Sequence, residues 1–163
     1  MQDMGIRMTT SASQLNAFLS QALSIYQGYL LKALAKLGEE CTARIRNRSA
    51  KESWIDHTGN LRSSIGYAVY ETGKKFLESM FPQVLNGVDG SSKAKTMIAD
   101  LAKEYSKVYA LVVIAGMEYA SNVEEIDGKD VLASTKIWAT SILEKRLKTA
   151  SDTAILQINK LKI

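Results

Sequence analysis

One histidine and one cysteine limit what this chain's side chains can do chemically. His57 stands shortly before Ser63 and Ser64, which are the residue types of a base and its nucleophile. The G-x-S-x-G elbow that presents such a serine is absent, and a triad is a matter of geometry rather than of neighbouring positions. His57 therefore reads as a turn residue and the serines as cap or surface positions. Cys41 and His57 are too few soft ligands for a structural zinc. Glu118, Glu124, Glu125, Asp127 and Asp130 form an acidic group that could hold a hard cation, but without the spacing of a calcium loop. A solvated rim or an inter-subunit charge surface is the expectation there. The run Gly87-Val88-Asp89-Gly90-Ser91-Ser92-Lys93 has two residues between its glycines and a late lysine. A phosphate loop needs four, with the lysine directly after the second glycine, so this reads as a surface loop. Trp54, Trp138 and the seven tyrosines could stack on bases. Several fall at helix-core spacing, which favours packing. No catalytic, cofactor-binding or metal-ligating residue is assigned, and the expectation is a non-enzyme that carries no cofactor.

The elements that must position these residues belong to a chain of 163 residues, the length of one domain. Its charged fraction of 23% and hydrophobic fraction of 46% suit a globular core rather than disorder. A lone cysteine excludes an intramolecular disulfide framework and suits a reducing compartment. No apolar run reaches the roughly 18 residues of a membrane span. Met1 to Thr10 has one basic residue and no apolar centre, so it reads as a flexible N-terminus and not as a signal peptide. The expectation is a protein folded in a cytoplasm, without membrane contact.

The net charge of +4 is unevenly spread. Residues 1–50 carry 6 − 3 = +3, residues 51–128 carry 8 − 11 = −3, and residues 129–163 carry 7 − 3 = +4. Basic ends around an acidic centre suit self-association, and they also suit contact with a nucleic acid backbone. Solvated helix faces are the leading explanation.

Residues 11–47 read as one long helix. Leu15, Phe18, Leu19, Ala22, Ile25, Tyr26, Tyr29, Leu30, Leu34, Leu37, Cys41 and Ile45 recur at steps of three and four. Ser11 and Gln14 have capping-box spacing. At 1.5 Å per residue the rod is on the order of 50 Å long, more than the width of such a domain, so part of its stripe is expected to meet another subunit or a partner. Arg44, Arg46 and Arg48 sit where the helix dipole favours cations. A phosphate-binding role competes with that explanation.

Residues 56–70 form a junction where the pattern changes period. Thr58 is placed to cap, Leu61 and Ile65 share one side of a helical turn, and Tyr67-Ala68-Val69-Tyr70 reads as a strand. Residues 72–95 read as a loop-rich insertion, with a turn at 71–75, an apolar cluster at 76–81 stopped by Pro82, and a loop at 86–92. A short helix is expected over 96–106. Residues 108–132 read as sheet, with 108–115 a continuously apolar central strand. A short helical turn or irregular strand follows Gly116, then a hairpin-like turn over 126–130 and a short strand at Val131-Leu132. A second long helix runs over 134–160, capped by Ser134. The expected class is α+β, with long N- and C-terminal helices on a small, mostly antiparallel sheet.

Two segments carry a family resemblance. Thr58-Gly59-Asn60-Leu61-Arg62-Ser63-Ser64-Ile65, followed by a strand, resembles the T-G-x-L-R-x-S-I signature of the HK97 gp10-like tailed-phage morphogenesis proteins, a tail-completion, neck or head–tail connector family. Val112-Val113-Ile114-Ala115-Gly116-Met117-Glu118-Tyr119-Ala120-Ser121-Asn122-Val123-Glu124 resembles that family's strand, G-x-x-Y-A step, hydrophobic residue and glutamate. The resemblance rests on Thr58, Gly59, Leu61, Arg62, Ser64, Ile65, Gly116, Tyr119, Ala120 and Glu124. It departs where Glu125-Ile126-Asp127-Gly128 replaces an aromatic-glycine step, and at Thr72 to Lys95, which has no counterpart. It implies a structural virion protein forming a homo-oligomeric ring at the head–tail junction, made in the host bacterial cytoplasm. Its implied partners are portal or head-completion proteins and tail proteins, with passing contact with DNA. Arg62 and Glu124 are expected to pair. The alternative is a basic-ended nucleic-acid-binding protein.

Overall fold

The structure, a computed structural model, describes residues 10–125 and 129–162. The expected flexible N-terminus lies outside these residues except for Thr10, as does most of the turn expected over 126–130. The fold is α+β: a long helix at either end of the chain and, between them in sequence, a three-stranded antiparallel sheet. Helix α1 spans Ala12–Arg46, and Ser11 and Gln14 form the expected capping box. The single turn α2 spans Asn60–Ser63, and strand β1 follows at Ile65–Glu71. Strand β2 spans Lys74–Glu78, helix α3 Val88–Leu101 and strand β3 Tyr109–Ala115. Helix α4 is Ala120–Glu125 and helix α5 is Ala133–Ile158.

The sheet order is β2-β1-β3, with β1 paired to β3 from Ile65↔Ala115 to Glu71↔Tyr109. β1 is thus the central strand, and the apolar run expected at the centre is an edge. β3 is apolar because helices cover both of its faces, which says nothing about its place in the sheet order. Residues of β1 alternate between these layers. Tyr67 and Val69 pack against Leu31, Leu34 and Ala35 of α1. Ala68 and Tyr70 pack against Phe81 and against Ala94 and Ile98 of α3. A third cluster closes one end of the sheet, joining Ile45, Trp54, Leu61, Ile65, Met117 and Val131.

Several boundaries differ from the sequence reading. The segment 72–95 is no structureless insertion, since it contains β2 and the first turns of α3. Thr72 and Gly73 both have positive φ (46° and 83°), the geometry of the two-residue turn that closes the β1–β2 hairpin. α3 starts at Val88 and ends at Leu101, earlier than the 96–106 expected. Gly90, taken for a loop glycine, lies within that helix, where an added Cβ would stand 1.9 Å from the Asn60 carbonyl oxygen. The glycine is there for close approach of α3 to α2. Val131 and Leu132 form a bend rather than a strand, so the sheet ends at Ala115.

Candidate functional site

The junction between α1 and the sheet is built around Asp56. Its Oδ1 accepts the Gly59 amide at 2.9 Å and its Oδ2 the Arg62 amide at 3.0 Å. One carboxylate therefore satisfies two of the free amides at the start of α2. Thr58, expected as the cap, accepts the Asn60 amide at 3.2 Å, while the cap position itself is Gly59 at φ 80°. That left-handed conformation, and an ideal Cβ only 1.8 Å from the Val84 carbonyl oxygen, restrict the position to glycine.

Arg62 does not pair with Glu124. Its guanidinium stands 3.9 Å from Asp56 and 5.1 Å from the centroid of the Trp54 ring, and it donates to the Arg46 carbonyl at the end of α1. Arg62 thereby ties α1, the Trp54 loop and α2 together. Glu124 serves a different helix end: its Oε1 accepts the Leu132 amide at 2.9 Å and the Ala133 amide at 2.6 Å. These bonds, with the Ser134 amide donating to Asp130 Oδ1 at 3.1 Å, start α5, so Ser134 is not its cap.

The two signature segments meet. Gly116 donates its amide to the Ser64 carbonyl at 3.1 Å, and Leu61, Ile65, Ala115 and Met117 share one buried cluster, with Ala120 packed against it. Burial, then the charge of Asp56, raises the Tyr119 hydroxyl's pKa, which a Thr58 hydrogen bond and Lys93 partly counter. Thr58, Gly59, Leu61, Arg62, Ser64, Ile65, Gly116, Tyr119 and Ala120 thus converge on one junction. Glu124 lies one helix further on. Trp54 and Asp56 were missed; an aspartate shortly before Thr-Gly at the start of a helical turn is the signal that marks such a cap.

Ser63 and Ser64 are fully buried. The Ser63 hydroxyl accepts the Val84 amide at 2.8 Å, and that of Ser64 donates to the Leu61 carbonyl at 2.8 Å. Exposed His57 bonds to neither, so no nucleophile–base pair forms here. The acidic group disperses as well. Glu118 pairs with Lys93, Glu124 starts α5, Asp130 pairs with Arg48, and Asp127 lies outside the described residues. No group of three or more potential metal ligands occurs among the described residues.

The arginines at the end of α1 each make a contact within the chain. Arg44 lies over the Trp138 ring at 5.0 Å, and Arg46 donates to the Pro82 carbonyl. Arg48 pairs with Asp130 Oδ2 at 2.9 Å and donates to the Asp130 and Val131 carbonyls and the Ser134 hydroxyl. Arg48 joins the end of α1 to the start of α5 and Arg46 ties it to the Pro82 loop, while Arg44 stays exposed on α1.

The surface features that remain are apolar. α5 runs back along α1, with Tyr26 bonded to Ser151 and Glu40 to Arg146, and packs on α1 more than on the sheet. Between α1, α5 and β3 lies a groove of about 450 Å³. On the N-terminal half of α1, Leu15, Leu19 and Leu23 stand exposed, the last two at 54% and 57%. Edge strand β2 leaves Phe76 and Leu77 exposed beside Lys74 and Lys75, charges that discourage strand-to-strand pairing. No helix among the described residues is long and apolar enough to cross a membrane. Comparison with protein-family models, curated proteins and solved structures finds no match.

Proposed function

We propose that this chain is a structural subunit of a tailed phage or prophage that assembles as a ring at the head–tail junction, as a neck or tail-completion component. The observation that carries the reading is the N-terminal half of α1. From Ala12 to Leu31 the helix holds no charged residue, yet Leu15, Leu19 and Leu23 lie on its open surface. An exposed helix normally carries charge on its solvent face. A helix this long, whose N-terminal half carries exposed leucines and no charges, suits a surface that another subunit covers. Repetition of a heterologous contact closes a ring. The resemblance at residues 58–65 and 112–124 supports the same assignment. It brings the virion as location, portal or head-completion and tail proteins as partners, and DNA as a passing contact.

Light-scattering mass over a concentration series at two salt levels tests the ring. The expected result is a closed multiple of the 18.0 kDa chain that persists on dilution. A strict monomer throughout, or a mass that grows without limit, counts against self-closing assembly. The nucleic-acid-binding alternative has less support, because Arg46 and Arg48 are committed to bonds within the chain. Tight, steeply salt-dependent DNA binding would restore it.

A further inference from the structure

We propose that the leucine ridge of α1 on one copy seats in the α1–α5–β3 groove of the next, which rests on the reading of the chain as a self-assembling subunit. Leu15, Leu19 and Leu23 recur at four-residue steps and form one of the rows by which helices interdigitate. The groove is lined by Leu34 and Leu37 of α1, Leu111 and Val113 of β3, and Leu143 and Leu147 of α5. Close-packed interiors leave few voids larger than a water molecule. A dry apolar cavity of about 150 Å³ holds one benzene-sized group. By that measure about 450 Å³ has room for roughly three leucine side chains, the number in the ridge.

Charge and length agree with that occupant. The ridge-bearing half of α1 is uncharged, and Lys136 is the one charged side chain among the groove's described lining. On α1 the lining runs from Leu30 to Ile45, about 22 Å of helix, with Leu37, Cys41 and Ile45 buried at its floor. The ridge from Leu15 to Leu23 rises about 12 Å, which fits within it. The ridge cannot fill its own groove. α1 is continuous from Ala12 to Arg46, which holds Leu19 about 22 Å along the axis from Leu34. A ridge at one end and a groove at the other make a head-to-tail contact, the kind that propagates around a ring. The outer half-cylinder of a 20-residue helix offers on the order of 500 Å². That approaches the roughly 800 Å² per partner of a stable interface. The rest would come from the groove rims.

Disulfide trapping tests the pairing, because Cys41 is the only native cysteine. In a Cys41→Ala background, one variant carries Leu19→Cys and another Thr140→Cys at the groove rim. The mixed proteins should form a Leu19→Cys–Thr140→Cys heterodisulfide at least tenfold above a Lys95→Cys control on exposed α3. Dominant Leu19→Cys homodisulfides, or trapping no better than the control, would overturn the pairing. Should the background variant misfold, hydrogen exchange on the wild-type chain gives the same decision. Protection should rise with concentration in residues 12–25 and 132–147 together, and a rise in neither or only one sinks the proposal. A closed oligomer without the heterodisulfide removes this inference alone. The heterodisulfide in an unclosed assembly removes the ring alone.

Discussion

Arg62 lies over Trp54, its guanidinium carbon 5.1 Å from the ring centroid, and the pair fixes where α1 ends relative to the sheet. Trp54 is buried, and its ring N–H has no hydrogen-bond partner among the described residues. The stacked cation is therefore its main polar contact. Asp56 keeps its two backbone amides, that of residue 62 included, without the Arg62 side chain, so truncation removes the cation and leaves that turn intact. Arg62→Ala should cost about 2 kcal/mol, combining a partly desolvated cation–π contact with a charged hydrogen bond. Arg62→Lys should recover less than half, since an ammonium lacks the planar stack and the fork of donors. Urea unfolding reads both variants. An unchanged midpoint for Arg62→Ala would mean the junction is held by its apolar cluster alone.

Two glycines separate close approach from propensity. Both Gly28 and Gly90 lie within helices, where alanine is favoured by up to about 1 kcal/mol. At Gly28 a Cβ meets nothing within 4 Å, while at Gly90 it meets backbone 1.9 Å away. Gly28→Ala should raise stability by about 0.5–1 kcal/mol. Gly90→Ala should lower it by about 2–3 kcal/mol despite its helical position, because α3 must withdraw from α2. Thermal unfolding of the two variants should shift in opposite directions.

These glycines also show where the sequence was hard to read. α1 was legible because its helical period extends over many turns, and the class followed from two such helices flanking strand-like runs. α3 was misplaced because Gly87, Gly90, Ser91 and Ser92 are turn formers by type. Here Gly87 and Gly90 serve backbone contact with α2 and its entry turn, and Ser91 a buried bond to the Phe81 carbonyl. β2 was hidden because all but its last residue are exposed, leaving no alternation to detect. The partners of Arg62 depend on the path of residues 47–56, which no periodicity encodes. The length of α1 was legible from its period; the groove was not, because it lies between three elements distant in sequence.

Asp130 gives the junction between α1 and α5 a pH dependence. Burial alone would raise its carboxyl, but hydrogen bonds from Ser134 and the Arg48 guanidinium more than offset that and hold its pKa below the usual carboxylate value. A depressed folded pKa contributes stability that is fully present above the unfolded value, about 3.9, and is lost as pH falls through the folded one. Asp130→Asn should therefore be less stable than wild type at about pH 7, with the gap closing below about pH 4. Urea midpoints measured across that range check it. A gap of constant size at all pH values would place the effect in neutral hydrogen bonding instead of charge.

Leu23 offers the sharpest separation of folding from assembly. Its side chain is 57% exposed in the folded chain, so Leu23→Glu removes little intramolecular packing. Stability of the monomer should change by no more than about 0.5 kcal/mol, as for other open surface positions. In an assembled interface the same glutamate would lie in an apolar groove without a partner, which costs several kcal/mol. Leu156→Glu, at a site 62% exposed and outside the leucine row, serves as the matched control. The expected outcome is that Leu23→Glu melts like a monomeric wild-type chain but sediments and scatters as a monomer where the wild type assembles, while Leu156→Glu retains the wild-type mass. If both variants keep that mass, the ridge is not the contact. If Leu23→Glu melts several degrees lower under conditions where the wild type is monomeric, the leucine is packed within its own fold, and the case for a subunit-covered α1 loses its main support.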